Sequence, residues 1–531
     1  MQKPDALIIG AGHNGLTAAC YLARAGLKVR LLEARHIVGG AAVTEEFHPG
    51  FRNSVASYTV SLLNPQVISD LRLAEHGLRM VFRPLSNLLP LANGDALRIG
   101  PGLLDSVAEL RRFSQRDAAR LPDYYAMLER LADTLREFIL LTPPDPNRGI
   151  GGIIDMLKTA MRLKGLPIEA QRDLIELFGR SAGEILDDWF ESAPIKAVLG
   201  FDSIVGAYAG PYAPGSGYVQ LHHCFGEVNG RKGAWGHAIG GMGAITQAMA
   251  KEALRLGVEI STDTSVAQVK VRDGRANGVV LANGDELEAR LVAANVSPKL
   301  LYLKLVEAQH LDAEMRARIE RFKTGSGVLR MNVALTELPD FCGLGVRQQP
   351  HHGAGIILAP SLDYMERAHN EARASGMSRA PVVELLIPST LDDTLAPPGQ
   401  HVASLFCQYF APQLPDGRGW DDEREAAADL AIDCVTGFAP NFRKSVIARQ
   451  VLTPLDLERC FGLTDGDIFH GRLSLEQLFS SRPTLGYADY RTPIKGLYLC
   501  GSGAHPGGGV TGAPGLNAAR EIVRDCKRRL V

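Results

Sequence analysis

At 531 residues the chain is too long for one ordinary core, and two or three domains are expected at roughly 100–200 residues each. Apolar residues make up 46% and charged residues 22%, the balance of a globular protein with a large core. A net charge of −2 gives no electrostatic case for nucleic acid or for strong attraction to anionic lipid.

Eight cysteines, Cys20, Cys224, Cys342, Cys407, Cys434, Cys460, Cys500 and Cys526, are scattered, and none forms a Cys-x-x-Cys pair. That argues against a disulfide framework, a zinc site and a redox-active disulfide, and it fits a reducing compartment. Met1-Gln2-Lys3-Pro4-Asp5 leads directly into an apolar run without a signal- or transit-peptide layout. No uninterrupted apolar stretch reaches the ~18–20 residues of a membrane span. A cytoplasmic protein is expected; peripheral membrane contact and a homodimer both stay open.

Ala6-Leu7-Ile8-Ile9 has the character of a buried parallel strand. Gly10-Ala11-Gly12-His13-Asn14-Gly15 follows, then a helix from Leu16 to Ala25, a stop at Gly26, and a second strand, Lys28 to Leu32, that ends in Glu33. Gly10 permits the tight turn, Gly12 lets a pyrophosphate approach the backbone, and Gly15 lets helix and sheet pack closely. The helix N-terminus offers free N–H groups to phosphates, and Glu33 can accept hydrogen bonds from a ribose diol. A lone G-x-G-x-x-G is weak evidence, but strand, glycines, helix, strand and acid in this order predict a dinucleotide site.

Glu33 is followed by Ala34-Arg35-His36-Ile37-Val38-Gly39-Gly40-Ala41-Ala42. A second glycine pair so soon after the acid is no part of the plain NAD fingerprint. It resembles the extended FAD motif of the flavin amine oxidase and phytoene desaturase superfamily. The resemblance implies non-covalent FAD, with Gly39 and Gly40 against its phosphate and ribityl region. It also implies a Rossmann-type α/β domain of the glutathione-reductase superfamily, interleaved with an α+β substrate domain. Many members have an arginine directly after the glycine pair; here Ala41 stands in its place.

Ser106 to Leu141 is predicted helical and is ended by Pro143-Pro144-Asp145-Pro146. Ile153 to Leu163 is a short amphipathic helix carrying Lys158, Arg162 and Lys164. In carotenoid desaturases this region helps reach the membrane, but packing on its own domain is the favoured reading here. Tyr208, Tyr212 and Tyr218 are placed in a Gly- and Pro-rich loop, lining a pocket or packing locally. His222-His223-Cys224 and His351-His352 lack a partner at metal-ligand spacing, so no metal is expected and solvated or core roles are favoured.

Gly240-Gly241-Met242-Gly243-Ala244-Ile245 is predicted to begin a helix running to about Leu256, with a stop at Gly257. Strands then follow through Val258–Ile260, Val266–Val271, Gly278–Leu281 and Glu286–Leu287, with hairpin signals at Asp273-Gly274 and Asn283-Gly284. Arg290 to Ala294 is read as a buried return strand. The resemblance implies that the backbone of Val266 holds the adenine edge. Residues 325–335, 380–388 and 401–409 are predicted strands flooring a pocket over the flavin.

Near the C-terminus, Gly496 to Cys500 is a strand and Leu516 to Leu530 a helix. Between them lies Gly501-Ser502-Gly503-Ala504-His505-Pro506-Gly507-Gly508-Gly509-Val510-Thr511-Gly512-Ala513-Pro514-Gly515. So many small residues suggest backbone pressed against a flat or charged ligand. Gly501, Gly509, Val510, Gly512, Ala513 and Asn517 are therefore candidate cofactor contacts, with helix N–H groups near Ala513–Asn517 facing the flavin pyrimidine edge. His505 is the candidate catalytic residue, against the common alternative that a loop histidine holds backbone.

The two terminal motifs, together with Gly50-Phe51 and Ser61-Leu62-Leu63, make the chain resemble the group of pyridine nucleotide-disulphide oxidoreductase domain-containing protein 2 and its bacterial relatives. The group is phytoene desaturase-like. The implied layout is an FAD domain from 1–80, 230–298 and 481–531, with a substrate domain from 81–229 and 299–480. The implied activity is FAD-dependent oxidoreduction of an apolar small molecule, unsaturated ones included. An FAD-containing assembly protein with little turnover and a flavin amine oxidase remain the alternatives.

Overall fold

The computed structural model describes residues 3–145 and 149–531, so Met1, Gln2 and the predicted breaker Pro146 lie outside it. Five strands form one parallel sheet in the order Glu259–Ser261, Val29–Leu32, Ala6–Ile9, Leu291–Ala294, Leu497–Leu499. Ala6–Ile9 and Leu291–Ala294 are buried at every position, as strands covered on both faces must be. The ladder runs on past the strand ends: Gly10 N donates to Leu32 O, Asn295 N to Ile9 O and Cys500 N to Ala294 O. The C-terminal edge of the sheet thus gathers segments hundreds of residues apart, and in open α/β sheets that edge is where ligands bind.

The predicted meander is present. Val266–Arg272, Arg275–Leu281 and Glu286–Glu288 are antiparallel neighbours, and Asp273 and Gly274 both take positive φ at the first hairpin.

A second sheet has seven strands, in the order Val446–Leu452, Val328–Leu335, His401–Phe410, Met377–Leu386, Gly355–Leu358, Asn87–Pro90, Ala96–Ile99. Only the Gly355–Leu358 and Asn87–Pro90 pairing is parallel. One face packs on the helix Trp420–Phe438 and the other meets the helical segment 103–222.

Three helical expectations need correction. The stretch from Ser106 is two helices, Leu103–Leu110 and Gln115–Ile139, because Ser114 caps the second by accepting from Asp117 N. Tyr218 lies in the helix Ser216–His222 rather than in a loop. The amphipathic helix spans Ile150–Lys164 and does not pack on its own domain: only Gly152 is buried, and Ile150, Ile153, Leu157 and Met161 face solvent. No helix of the described residues is long and apolar enough to cross a membrane.

The last helix, Ala513–Lys527, begins three residues earlier than its apolar pattern because Pro514 suits a first turn. Arg491 clamps it to the last strand, with Nε and Nη2 on Asp525 at 2.8 and 2.6 Å, Nη2 on Glu521 at 2.9 Å, and Nη1 on Asp489 at 2.7 Å. All three carboxylates are buried. Burial opposes the ionisation of Glu521, yet Arg491 and Thr142 hold its carboxyl below the usual range. Removing one partner of such a network leaves buried charge uncompensated. Arg491→Met is expected to lower stability by about 3–5 kcal/mol, read as a shift in the urea midpoint; an unchanged midpoint would contradict the clamp.

Candidate functional site: a dinucleotide cradle between the two ends of the chain

The three glycines of the opening motif sit where side chains would collide. Gly10 has φ +91°, and a Cβ there would lie 2.9 Å from Asn295 O; one on Gly15 would lie 2.1 Å from Gly10 O. Gly12 caps the first helix, His13–Arg24. The hub between them is Asn295, whose Nδ2 donates to Gly10 O at 3.2 Å. A Cβ on Gly12 or Gly15 would come within 3.0 Å of that same Nδ2, and one on Gly501 within 3.0 Å of Asn295 Oδ1. Asn295 was legible only as the end of a strand; its role appears once both glycine loops are seen around it.

Glu33 is buried at the tip of its strand, accepting from Ala11 N at 2.8 Å and Arg35 N at 3.0 Å. Ala34 between them is exposed. The entry to the meander runs alongside, since Asp263 N donates to Arg35 O and Thr264 N to Glu33 O. This places Val266, half-buried at the start of its strand, at the acid's end of the cradle.

The second glycine pair folds back on the first loop. Gly39 N donates to Ala11 O at 2.9 Å, and a Cβ on Gly40 would lie 3.3 Å from Gly12 Cα. Ala41 and Ala42 continue as a turn held by Ser57 N on Ala41 O and Thr246 Oγ1 on Ala42 O.

The C-terminal loop closes the other side. Gly507, Gly509, Gly512 and also Val510 take positive φ. That is costly for a β-branched residue and persists only where surroundings enforce it. Gly512 caps the last helix, of which Ala513 is the first residue, and a Cβ there would lie 3.1 Å from Thr17 Oγ1 on the first helix. Asn14 Nδ2 ties that helix to Ser502 Oγ at 3.0 Å.

Several polar atoms of the cradle have no hydrogen-bond partner although buried: His13 Nε2, Asn14 Oδ1 and Arg35 Nη1. Buried polar atoms are normally satisfied, so each marks a place for a ligand group. Arg35 spends Nη2 on both oxygens of Glu45 (3.0 and 2.8 Å) and lies 5.0 Å from the Phe461 ring centroid. Its free Nη1 is the cation of the motif, in a chain whose glycine pair lacks the following arginine. These unpartnered polar atoms, the buried carboxylate and the bare glycines fit a flavin dinucleotide. Gly12, Gly40, His13 and Arg35 would meet the phosphates, and Glu33 the ribose.

Two expected contacts hold other groups. Asn517 Nδ2 donates to Ile139 O, at the end of the long helix, and to Tyr490 Oη at 2.9 Å, while its buried Oδ1 has no partner and stays available to a ligand. His505 holds backbone. Its Nε2 lies 2.8 Å from Phe138 O, its ring meets Phe479 edge-on, and burial lowers its pKa to about 4. It is a neutral donor that caps a helix end.

The unexpected residue is His222. It is buried against the backbone of the glycine run at Gly508, and its Nε2 stands 3.5 Å from where a Gly509 Cβ would be. Burial, aided by His223 and Arg482, lowers its pKa to about 3. Burial likewise lowers His13 to about 3 and His470 to about 4. The buried cation here is Arg482, which faces the Asp467 carboxyl and donates to the carbonyls of Phe469, Gly471, Arg472, Gln477 and Ser502. It fixes the loops around the C-terminal glycines. His351 and His352 lie with ring centroids 4.1 Å apart and tilted by 39°, and His352 Nδ1 accepts from Gln349 N within its own short turn.

Parallel sheet, glycine cradle and buried acid define an FAD-dependent oxidoreductase. The chain belongs to the family described as flavin containing amine oxidoreductase, whose model matches residues 15–329. It is 42% identical to pyridine nucleotide-disulfide oxidoreductase domain-containing protein 2 of Rattus norvegicus, over 98% of this chain and 94% of that one. It is 26% identical to a limonene dehydrogenase subunit of Castellaniella defragrans, over 99% and 95%. With phytoene desaturase (lycopene-forming) of Pseudescherichia vulneris the identity is 25%, over 95% and 96%. Among solved structures, an oxidoreductase from Methanosarcina mazei shares the fold with a TM-score of 0.62 at 16% identity, covering 98% of this chain and 99% of that one.

Gly12→Glu places bulk and negative charge where phosphates must approach and is expected to abolish flavin binding. The visible spectrum of the purified protein checks this, and a yellow Gly12→Glu protein would overturn the assignment. His505→Gln keeps a neutral donor and is expected to hold turnover within about threefold, whereas loss of a general base typically costs 10²–10⁴-fold. Steady-state rates of the two proteins decide.

Proposed function

We propose that the chain transfers hydride between FAD and an apolar small molecule, in the manner of a desaturase or dehydrogenase rather than an amine oxidase. The observation that carries this reading is the neutrality of the side chains around the C-terminal loop. His13, His222, His470 and His505 are all kept uncharged by burial. Leu62 packs against Gly509, and Tyr218, Phe225 and Phe469 surround His222. The buried carboxylate beside them, Asp467, accepts from Gly325 N and Phe469 N and faces Arg482, so it is not free for an ammonium group, whereas an uncharged carbon skeleton loses little by entering.

Bound FAD supplies two-electron hydride chemistry. This chain's part is to place the substrate and exclude water. Burial lowers these imidazoles to about 3 or 4, so they stand uncharged at neutral pH. The names of two relatives, a limonene dehydrogenase and a phytoene desaturase, refer to hydrocarbons and support the reading.

The test is anaerobic mixing of the yellow protein with unsaturated hydrocarbons, such as a cyclic monoterpene, and separately with primary amines. Bleaching of the flavin by a hydrocarbon, or reoxidation of the chemically reduced flavin by one, is expected. Bleaching by amines alone, with hydrogen peroxide formed in air, would favour the amine oxidase reading and overturn this one.

A further inference from the structure

A cavity of about 330 Å³ opens on the other side of His222-His223 from the C-terminal loop. Its walls come from the segment 82–87, the long helix with Tyr124, Tyr125 and Leu128, the turn at Asp202, and the stretch from Gln220 to Trp235. Nothing in the flavin cradle accounts for it. Four of the side chains lining it are cations (Arg83, Arg136, Arg231, Lys232) and two are acids (Glu129, Asp202).

Arg83 is the deepest of the cations, with its side chain only 4% exposed. Nη2 donates to Thr59 Oγ1 at 2.6 Å. Its nearest carboxylate, Glu384, is 3.8 Å from Nη1, beyond hydrogen-bonding distance, and Glu384 accepts instead from Tyr58 Oη at 2.5 Å. The guanidinium also lies 5.5 Å from the Trp235 ring centroid, and His223 stacks on the same indole. A planar guanidinium so desolvated and so sparsely bonded is shaped for a planar anion. His223, 5% exposed, lines the cavity, with the backbone of Val205 beside its ring. Asp202 lines it too, and no hydrogen bond or ion pair holds its carboxylate among the described residues.

We propose that this cavity binds the carboxylate of an amphipathic small molecule, with Arg83 as its cation, the His223 ring and the Asp202 carboxyl beside it, and the apolar body along Ile99, Leu128 and Trp235. The site deepens the reading above by giving an apolar substrate a polar end, and its identity as a substrate site rests on that reading; the binding itself does not. Asp202 sets a pH window. Arg83 and Glu384 face it from the sheet side, Tyr124 and Tyr125 from the long helix, and Cys224 and His223 from the end of the helix Ser216–His222. Burial and the charge on Glu384 push its carboxyl up to about 7 against the pull of Arg83. Protonated, it donates to a bound carboxylate; ionised, it repels one. Affinity for an acid therefore falls as pH rises through about 7.

The experiment is isothermal titration of the FAD-loaded, oxidised protein with decanoate, decanol and decylamine at pH 6 and pH 8. Decanoate is expected to bind at least tenfold more tightly than the other two at pH 6, and to weaken at least fivefold at pH 8. Arg83→Met should lose the preference for the acid. Asp202→Asn, which breaks no contact in the fold, should bind decanoate equally at both pH values. Equal binding of decanol, tighter binding of decylamine, or an undiminished pH effect in Asp202→Asn would each overturn the site. The readout is heat of binding without turnover. Failure here leaves flavin reduction by hydrocarbons standing, and failure of that reduction leaves this site standing.

Discussion

The arrangement depends on how closely the first helix approaches its neighbours. A Cβ on Gly15 would lie 2.1 Å from Gly10 O, and one on Gly515 would lie 2.1 Å from Asn14 O. The first turn of the helix His13–Arg24 is thus wedged between its own strand on one side and the last helix on the other. With no side chain at either contact, the N–H groups of that turn are brought to the edge where Asn295 and Gly501 also arrive. A methyl at either glycine would push the helix outward and take its dipole away from any phosphate. Binding and packing are one constraint here, which explains why the sheet must be completed by residues 497–499 before the cradle exists.

Burial then decides the electrostatics. Around the C-terminal glycine loop, buried imidazoles stay neutral, while the guanidinium that remains charged is met largely by backbone carbonyls. Arg482 donates to five different carbonyl oxygens, and Arg330 to Ala56 O and Leu405 O as well as Ser404 Oγ. Carbonyl dipoles satisfy a cation without cancelling its charge, so these arginines organise loops yet keep a positive field within the protein. Arg83 is different: it has one short side-chain hydrogen bond and an ion pair to Glu384 at 3.8 Å, too long for a hydrogen bond, so its guanidinium keeps donors to spare for a second anion. That contrast separates scaffolding arginines from one that a ligand would complete.

How much of this was legible in the sequence follows from the range of each interaction. Gly10, Gly12, Gly15, Glu33 and the Gly39-Gly40 pair were readable because their tasks are local, a turn, a cap or a strand end. The hairpins at Asp273-Gly274 and Asn283-Gly284 were readable for the same reason. His505 looked reactive because it sits in the glycine loop. Its partner, Phe138 O, lies 367 positions away and carries no signal in a carbonyl. Asn295 and Arg482 were hidden in the same way, since what they hold is backbone. The amphipathic pattern of residues 150–164 was plain, but periodicity reports which face is apolar and not what covers it. His222 and His223 were discounted because adjacent histidines lack metal-ligand spacing. The end of their short helix instead aims one ring at Gly509 and the other at Trp235.

That divergence bears on how one fold serves different substrates. The cradle is built from backbone and glycine and leaves little room for variation. The substrate side is built from the second sheet and the helices of residues 103–222, whose side chains are unconstrained by the cofactor. A relative with a hydrocarbon in its name and a family described by amines can therefore share the same opening motif. What distinguishes this chain must lie where the two halves meet, in the residues from Thr59 to Arg83 and from His222 to Trp235. There Arg83 touches Thr59, Trp235 touches Arg83 and His223, and Leu62 touches Gly509. Chemistry at the flavin and recognition in the cavity are joined through this strip, one residue thick at His222-His223, so a change that redirects substrate choice should fall there and leave the cradle untouched.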